Sequence, residues 1–180
     1  MVHIDRINEI LTAQDGMKFE SIIYPNSKSS LEEDKKVWKH IAVHKTIDIK
    51  KLLTCSDGNS YEVPFSETIS VLPDRTGFIT IFGDEPSKFS KIKTYPYFFE
   101  KPNNAAIYNA DGSLRFQLTK PIGDPNGHFY ILQGHSVTYP NFPTVILQSD
   151  EQPNTSGFYN LYAIDPNNPE IINTGRMIKF

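Results

Sequence analysis

A chain of 180 residues, 38% hydrophobic and 22% charged, has the size and composition of one folded domain, which excludes disorder and collagen-like repetition. Its single cysteine, Cys55, excludes an internal disulfide scaffold. A net charge of −3 argues against a free-standing nucleic-acid binder, which gains affinity by neutralising phosphates with a basic surplus.

No stretch approaches the apolar length of a membrane helix. Asp5, Arg6 and Glu9 stand where a signal peptide would place its apolar run, so a cytoplasmic location is expected. The aromatic content, 12 Phe, 9 Tyr and 1 Trp, favours pleated sheet, and 13 Pro with 10 Gly leave little room for ordinary helices. The class expected is β-rich α+β, a mostly antiparallel meander or sandwich with one or two short helices near the N-terminus.

In chain order, Ile4, Ile7, Ile10 and Leu11 recur at helical spacing and predict a short helix over Asp5 to Ala13. Ser30-Leu31-Glu32-Glu33 fits a capping box and predicts a second helix from Leu31 to about His40. The stretch Val37 to Ile49 fits helix or strand equally. Lys35, Lys36, Lys39, Lys45, Lys50 and Lys51 alternate with Glu32, Glu33, Asp34 and Asp48, which reads as a solvated polar face.

Hairpins follow. Leu52 to Cys55 and Tyr61 to Phe65 flank Asp57-Gly58-Asn59. Ile69 to Leu72 and Phe78 to Phe82 flank Pro73-Asp74-Arg75-Thr76-Gly77. Ala105 to Tyr108 and Leu114 to Leu118 flank Asn109-Ala110-Asp111-Gly112-Ser113, whose residue types tolerate the left-handed backbone of a tight turn. Alternation of Leu114, Phe116 and Leu118 with Arg115 and Gln117 predicts one buried and one wet face. Four more strands are expected at Phe129 to Leu132, Thr144 to Leu147, Phe158 to Ile164 and Arg176 to Phe180, with Pro-rich connectors between them. No sequence repeat of blade length is visible. A single domain over 1–180 is expected, with a weak subdivision near Asn103.

Chemistry is sparse. His40 and His44 have the spacing of a zinc pair, but Ile41 stands where a zinc protease places Glu, and no third ligand is signalled. Gly134-His135-Ser136-Val137-Thr138 lacks the closing glycine of a nucleophile elbow. Cys55, beside Leu52 and Leu53, reads as a small core residue. The glycines are scattered and form no phosphate cradle. No catalytic residue, metal or cofactor is expected. Tyr95-Pro96-Tyr97-Phe98-Phe99 packs four aromatics into five positions; if extended, at least one must leave the core for another layer or a partner.

Ala106 to Leu118 and the run Phe158 to Asp165 resemble segments of small bacterial immunity proteins, the cytosolic antidotes of polymorphic or contact-dependent (Rhs-type) toxins. The resemblance covers about a fifth of the chain. It implies a binding protein with no active site and a cognate toxin as its partner, with no nucleic acid or membrane involved. Where such a toxin is basic, acidic groups would steer its capture. The candidate partner surface is Asp84, Glu85, Tyr95, Tyr97, Asp150 and Glu151. The alternatives are a carbohydrate- or small-ligand-binding β-sandwich, and a hydrolase whose pocket would gather His128, His135 and Glu100.

Overall fold

A computed structural model describes residues 2–25, 35, 39, 43–124, 127–136, 138–139, 141–149 and 157–179, with the His135 side chain left out. The described chain forms antiparallel strands in three four-stranded sheets. The first holds β1 (Ile4–Ala13), β2 (Lys18–Ile23), β3 (Thr46–Cys55) and β4 (Ser60–Val63) in the order β2-β1-β3-β4. The second is a meander of β5 (Ile69–Val71), β6 (Gly77–Ile81), β7 (Ala105–Asn109) and β8 (Leu114–Gln117). The third is a meander of β9 (His128–His135), β10 (Pro143–Gln148), β11 (Phe158–Ala163) and β12 (Ile172–Lys179).

The helix expected over Asp5 to Ala13 is strand β1. A register shift against β3 between Ile4 and Arg6 inserts one residue, so Ile4 and Ile7, three apart, both reach the core. Glu9 then faces inward between Ile7 and Leu11, where it meets the buried Lys51 with Oε2 and Nζ 3.0 Å apart. The helix expected from Leu31 to His40 lies mostly outside the described residues. Lys35, Lys39 and Val43 are helical, and β3 begins at Thr46.

The second sheet is buried on both faces. Phe78, Ala106 and Tyr108 share a core with Ile7 and Leu53 of the first sheet. Ile79, Ala105 and Ile107 share another with Phe129, Val145 and Tyr162 of the third. This corrects the wet face expected for β7–β8. A register shift between Ile107 and Tyr108 sends Leu114 into the first core while Phe116 packs in the second. Arg115, between them, donates to Asn109 Oδ1 at 2.9 Å, to the Pro166 carbonyl at 3.1 Å and to the Thr76 carbonyl at 3.1 Å, tying three connections together.

The hairpin turns are built by aspartate. Asp57, Asp74, Asp111 and Asp165 each accept the backbone N–H two residues on, at 2.9–3.0 Å. The Ser113 hydroxyl and amide hold the Asp111 carboxyl below its ordinary value, and the Asn59 amide does the same for Asp57. A carboxyl depressed in the folded state adds stability above the unfolded value, near pH 4, and that stability is lost as pH falls through the folded value. The thermal midpoint should therefore drop as pH is lowered from about 5 towards 2. Asp111→Ala should lower the midpoint at neutral pH and flatten part of that acid dependence in a calorimetric pH series.

Candidate functional site

Among the described residues, the longest irregular segment runs from Phe82 to Asn104 between β6 and β7, and it is held at many points. Glu67 accepts the Ser87 amide and the Ser90 hydroxyl, each at 2.8 Å, and the Lys91 amide donates to the Pro64 carbonyl at 2.8 Å. The Lys91 ammonium pairs with Glu62. At its end, Asn104 Nδ2 donates to the carbonyls of Phe82 and Phe129, and Asn104 Oδ1 accepts the Phe129 amide at 3.0 Å.

The aromatic run sits on this segment. Because it is not extended, the alternation rule does not govern it, and Tyr97, Phe98 and Phe99 all pack against the first core. Tyr97 stacks on Tyr108 with ring centres 5.9 Å apart, and Phe99 meets Phe82 at 5.9 Å. Tyr108 donates to the Pro96 carbonyl at 2.8 Å, and burial holds its phenol far above the usual tyrosine range. Tyr95 alone turns outward. It is 73% exposed, its ring supported edge-on by Phe99 at 5.9 Å.

Of the six residues singled out for a partner, Asp84, Glu85 and Tyr95 are exposed on this one segment. Tyr97, half-buried, belongs to the aromatic stack. Asp150 and Glu151 lie outside the described residues. The segment's carboxylates, Asp84, Glu85 and Glu100, are matched by Lys88, Lys91, Lys93 and Lys101, so it is not an acidic patch. Acidic side chains gather instead at the opposite end of the stack, where Asp57, Asp74, Asp111 and Asp165 are occupied in making their own turns.

Beside the segment, an open groove of about 570 Å³ separates the second sheet from the third. Its apolar lining includes Ile79, Ile81, Phe129 and Ile131, and Lys101, Asp84 and His128 stand among the polar residues. Lys101 Nζ lies 2.8 Å from Asp84 Oδ1. His128, named in the sequence as a pocket candidate, lines the groove; Glu100, named with it, does not. Sequence reading missed Lys101 and Asn104 because both lie in what reads as a connector, Glu100 to Asn104.

A second hollow of about 460 Å³ lies at the turn end, lined by Tyr61, Asn109, Arg115 and Asn167 among others. Cys55 is buried nearby and donates its Sγ hydrogen to the Ala110 carbonyl at 3.4 Å. Burial, with Asp57 next in effect, raises the thiol above its ordinary value and keeps it unreactive at neutral pH. His44 Nδ1 lies 3.0 Å from Asp15 Oδ2, and His40 is outside the described residues. Among the described residues no three of His, Cys, Asp and Glu converge as a metal ion would need, and no helix is long and apolar enough to cross a membrane. Comparison with protein families, with curated proteins and with solved structures finds no match.

Proposed function

We propose that this chain is a non-catalytic binding protein, a cytoplasmic antidote of the immunity type that neutralises a cognate bacterial toxin by stoichiometric capture. The observation that supports it is Tyr95: a large aromatic held out to solvent on a segment fastened from beneath by the aromatic stack and by Glu67. Binding free energy concentrates in such anchors, and a surface ordered before contact loses little entropy on docking. Asp84 and Glu85 are exposed on the same segment, Asp84 paired with Lys101. Tyr95 itself stands on the open surface of the segment, where a protein partner can cover it.

The test is co-expression with the product of the adjacent reading frame, read by cell survival and by size-exclusion chromatography of the mixed proteins. A one-to-one complex and restored growth are expected. Tyr95→Ala should weaken the complex by about 2 kcal/mol, roughly thirtyfold, while leaving thermal stability nearly unchanged. Absence of a complex overturns the function. A complex indifferent to Tyr95→Ala overturns the surface assigned to it.

A further inference from the structure

The third sheet ends in a strand that can still pair. Among the described residues six strands stand at sheet edges, and four of them carry charge: β2 has Lys18 and Glu20, β4 has Glu62, β8 has Arg115, and β12 has Arg176 and Lys179. The fifth, β5, is three residues long. The sixth, β9, runs eight residues from His128 to His135 with no Lys, Arg, Asp or Glu. Charge and short length are usual means of keeping an edge from pairing with another chain, and β9 has neither.

That edge lies in the groove between the second and third sheets. Five consecutive residues, His128 to Leu132, line the groove. Neighbours on a strand point to opposite faces, so the groove runs along the edge of β9 rather than over one face. Asn104 shows what the edge accepts. Its Nδ2 donates to the Phe129 carbonyl at 3.1 Å, and its Oδ1 accepts the Phe129 amide at 3.0 Å. Those two bonds are the pair that a residue of an antiparallel neighbour would make. From Tyr130 to Gln133 no strand among the described residues takes over on that side. Tyr130 and Ile131 are 49% and 38% exposed there, and Ile79 and Ile81 of β6 line the same groove.

We propose that β9 takes an extended peptide segment of another protein as an added strand of the third sheet, with the side chains of one face resting on Ile79 and Ile81. Main-chain bonds to the edge supply affinity, and the groove selects alternate side chains. That face of the segment is uncharged, because the edge carries no charge and the groove's Asp84 and Lys101 already meet each other at 2.8 Å. A second copy of this chain is not the occupant. Register shifts against β10 bracket Ile131 and Leu132 and hold the usable edge to about four residues, roughly 14 Å. Two folded copies need roughly 1,200 Å² of contact, which so short an edge set in a groove does not supply, whereas a lone strand fits. Tyr95 does not line the groove, so strand addition stands or falls independently of toxin capture.

The probe is a capped seven-residue peptide alternating valine and threonine, titrated into the full chain and followed by amide chemical shifts. Saturable shifts are expected at Tyr130 to Gln133 and at Ile79 and Ile81. Two N-methylated forms, one modified at every valine and the other at every threonine, remove the amide donors of opposite peptide edges. One form should bind at least about tenfold more weakly and the other within about threefold of the parent. Glutamate in place of every valine and of every threonine, in separate peptides, should weaken binding at least about tenfold in the peptide whose charges face the groove. Ile131→Lys, at a partly exposed position, places a charge on the edge and should weaken the parent peptide about tenfold with the thermal midpoint unchanged. Absent saturation, loss of binding in both N-methylated forms or in neither, two glutamate peptides that bind like the parent, or an indifferent Ile131→Lys overturns the proposal. A concentration-dependent dimer that Ile131→Lys abolishes assigns the edge to a second copy and overturns it as well.

Discussion

Gly77→Ala is expected to destabilise the protein by about 3 kcal/mol, the upper range for an overpacked interior. A Cβ at this position would lie 2.0 Å from the Tyr108 carbonyl oxygen and 3.1 Å from Arg115 Nη2. Gly77 opens β6 and pairs with Asn109 across β7, so the clash falls on backbone that cannot rotate away. The middle sheet would have to open where it is buried on both sides, and the Arg115 bonds would be disturbed as well. Gly112→Ala provides the contrast. Its φ is +81° with nothing near the added Cβ, so the loss is backbone strain alone, about 1 kcal/mol. Urea denaturation of both variants distinguishes steric from conformational demand for glycine: the midpoint should fall far more for Gly77→Ala.

What could be read from the sequence was local chemistry. The turns at Asp57-Gly58 and Asp111-Gly112 are legible because each aspartate satisfies an amide two residues away, and no distant part of the chain takes part. The strands of the third sheet are legible for a similar reason, since Pro-rich connectors bound them. β1 was misread because its periodicity depends on two distant facts. The register shift against β3 brings Ile4 and Ile7 to one side, and the inward Glu9 is tolerated only because Lys51, 42 positions on, pairs with it. No window around Ile7 contains Lys51.

The same limit applies to the sites. Tyr95 was visible as part of an aromatic run, but its neighbours' direction depended on whether the run was extended. In the folded chain it is not, and three of the rings turn the same way. The groove draws on β5, β6, β9 and Lys101, so no single motif announces it. His128 was named for its chemistry alone. The segment's balance of charge also explains why an acidic partner surface could not be placed by composition: the carboxylates of Asp57, Asp74, Asp111 and Asp165 are spent on turn construction, whereas Asp84 faces a lysine.

Asn104→Ala is expected to cost about 4 kcal/mol and to loosen the third sheet from the second. The side chain is buried, and its amide spans the two sheets: Nδ2 donates to the Phe82 and Phe129 carbonyls, and Oδ1 takes the Phe129 amide at 3.0 Å. Truncation leaves the Phe129 amide and carbonyl without that partner, and each buried group so stranded costs about 1–3 kcal/mol. Asn104→Asp should be no better. It keeps an acceptor for the Phe129 amide but sets a second oxygen against two carbonyls, which repels unless the carboxyl is protonated. Hydrogen exchange gives the decisive reading. If Asn104 is the clasp between sheets, protection should fall along β9 and β10 more than along β1 and β3, where this residue makes no contact through hydrogen bonds. A uniform loss across all three sheets would instead make Asn104 a contributor to global stability alone, and the two sheets would be held together by the apolar core of Ile79, Ile107, Phe129 and Val145.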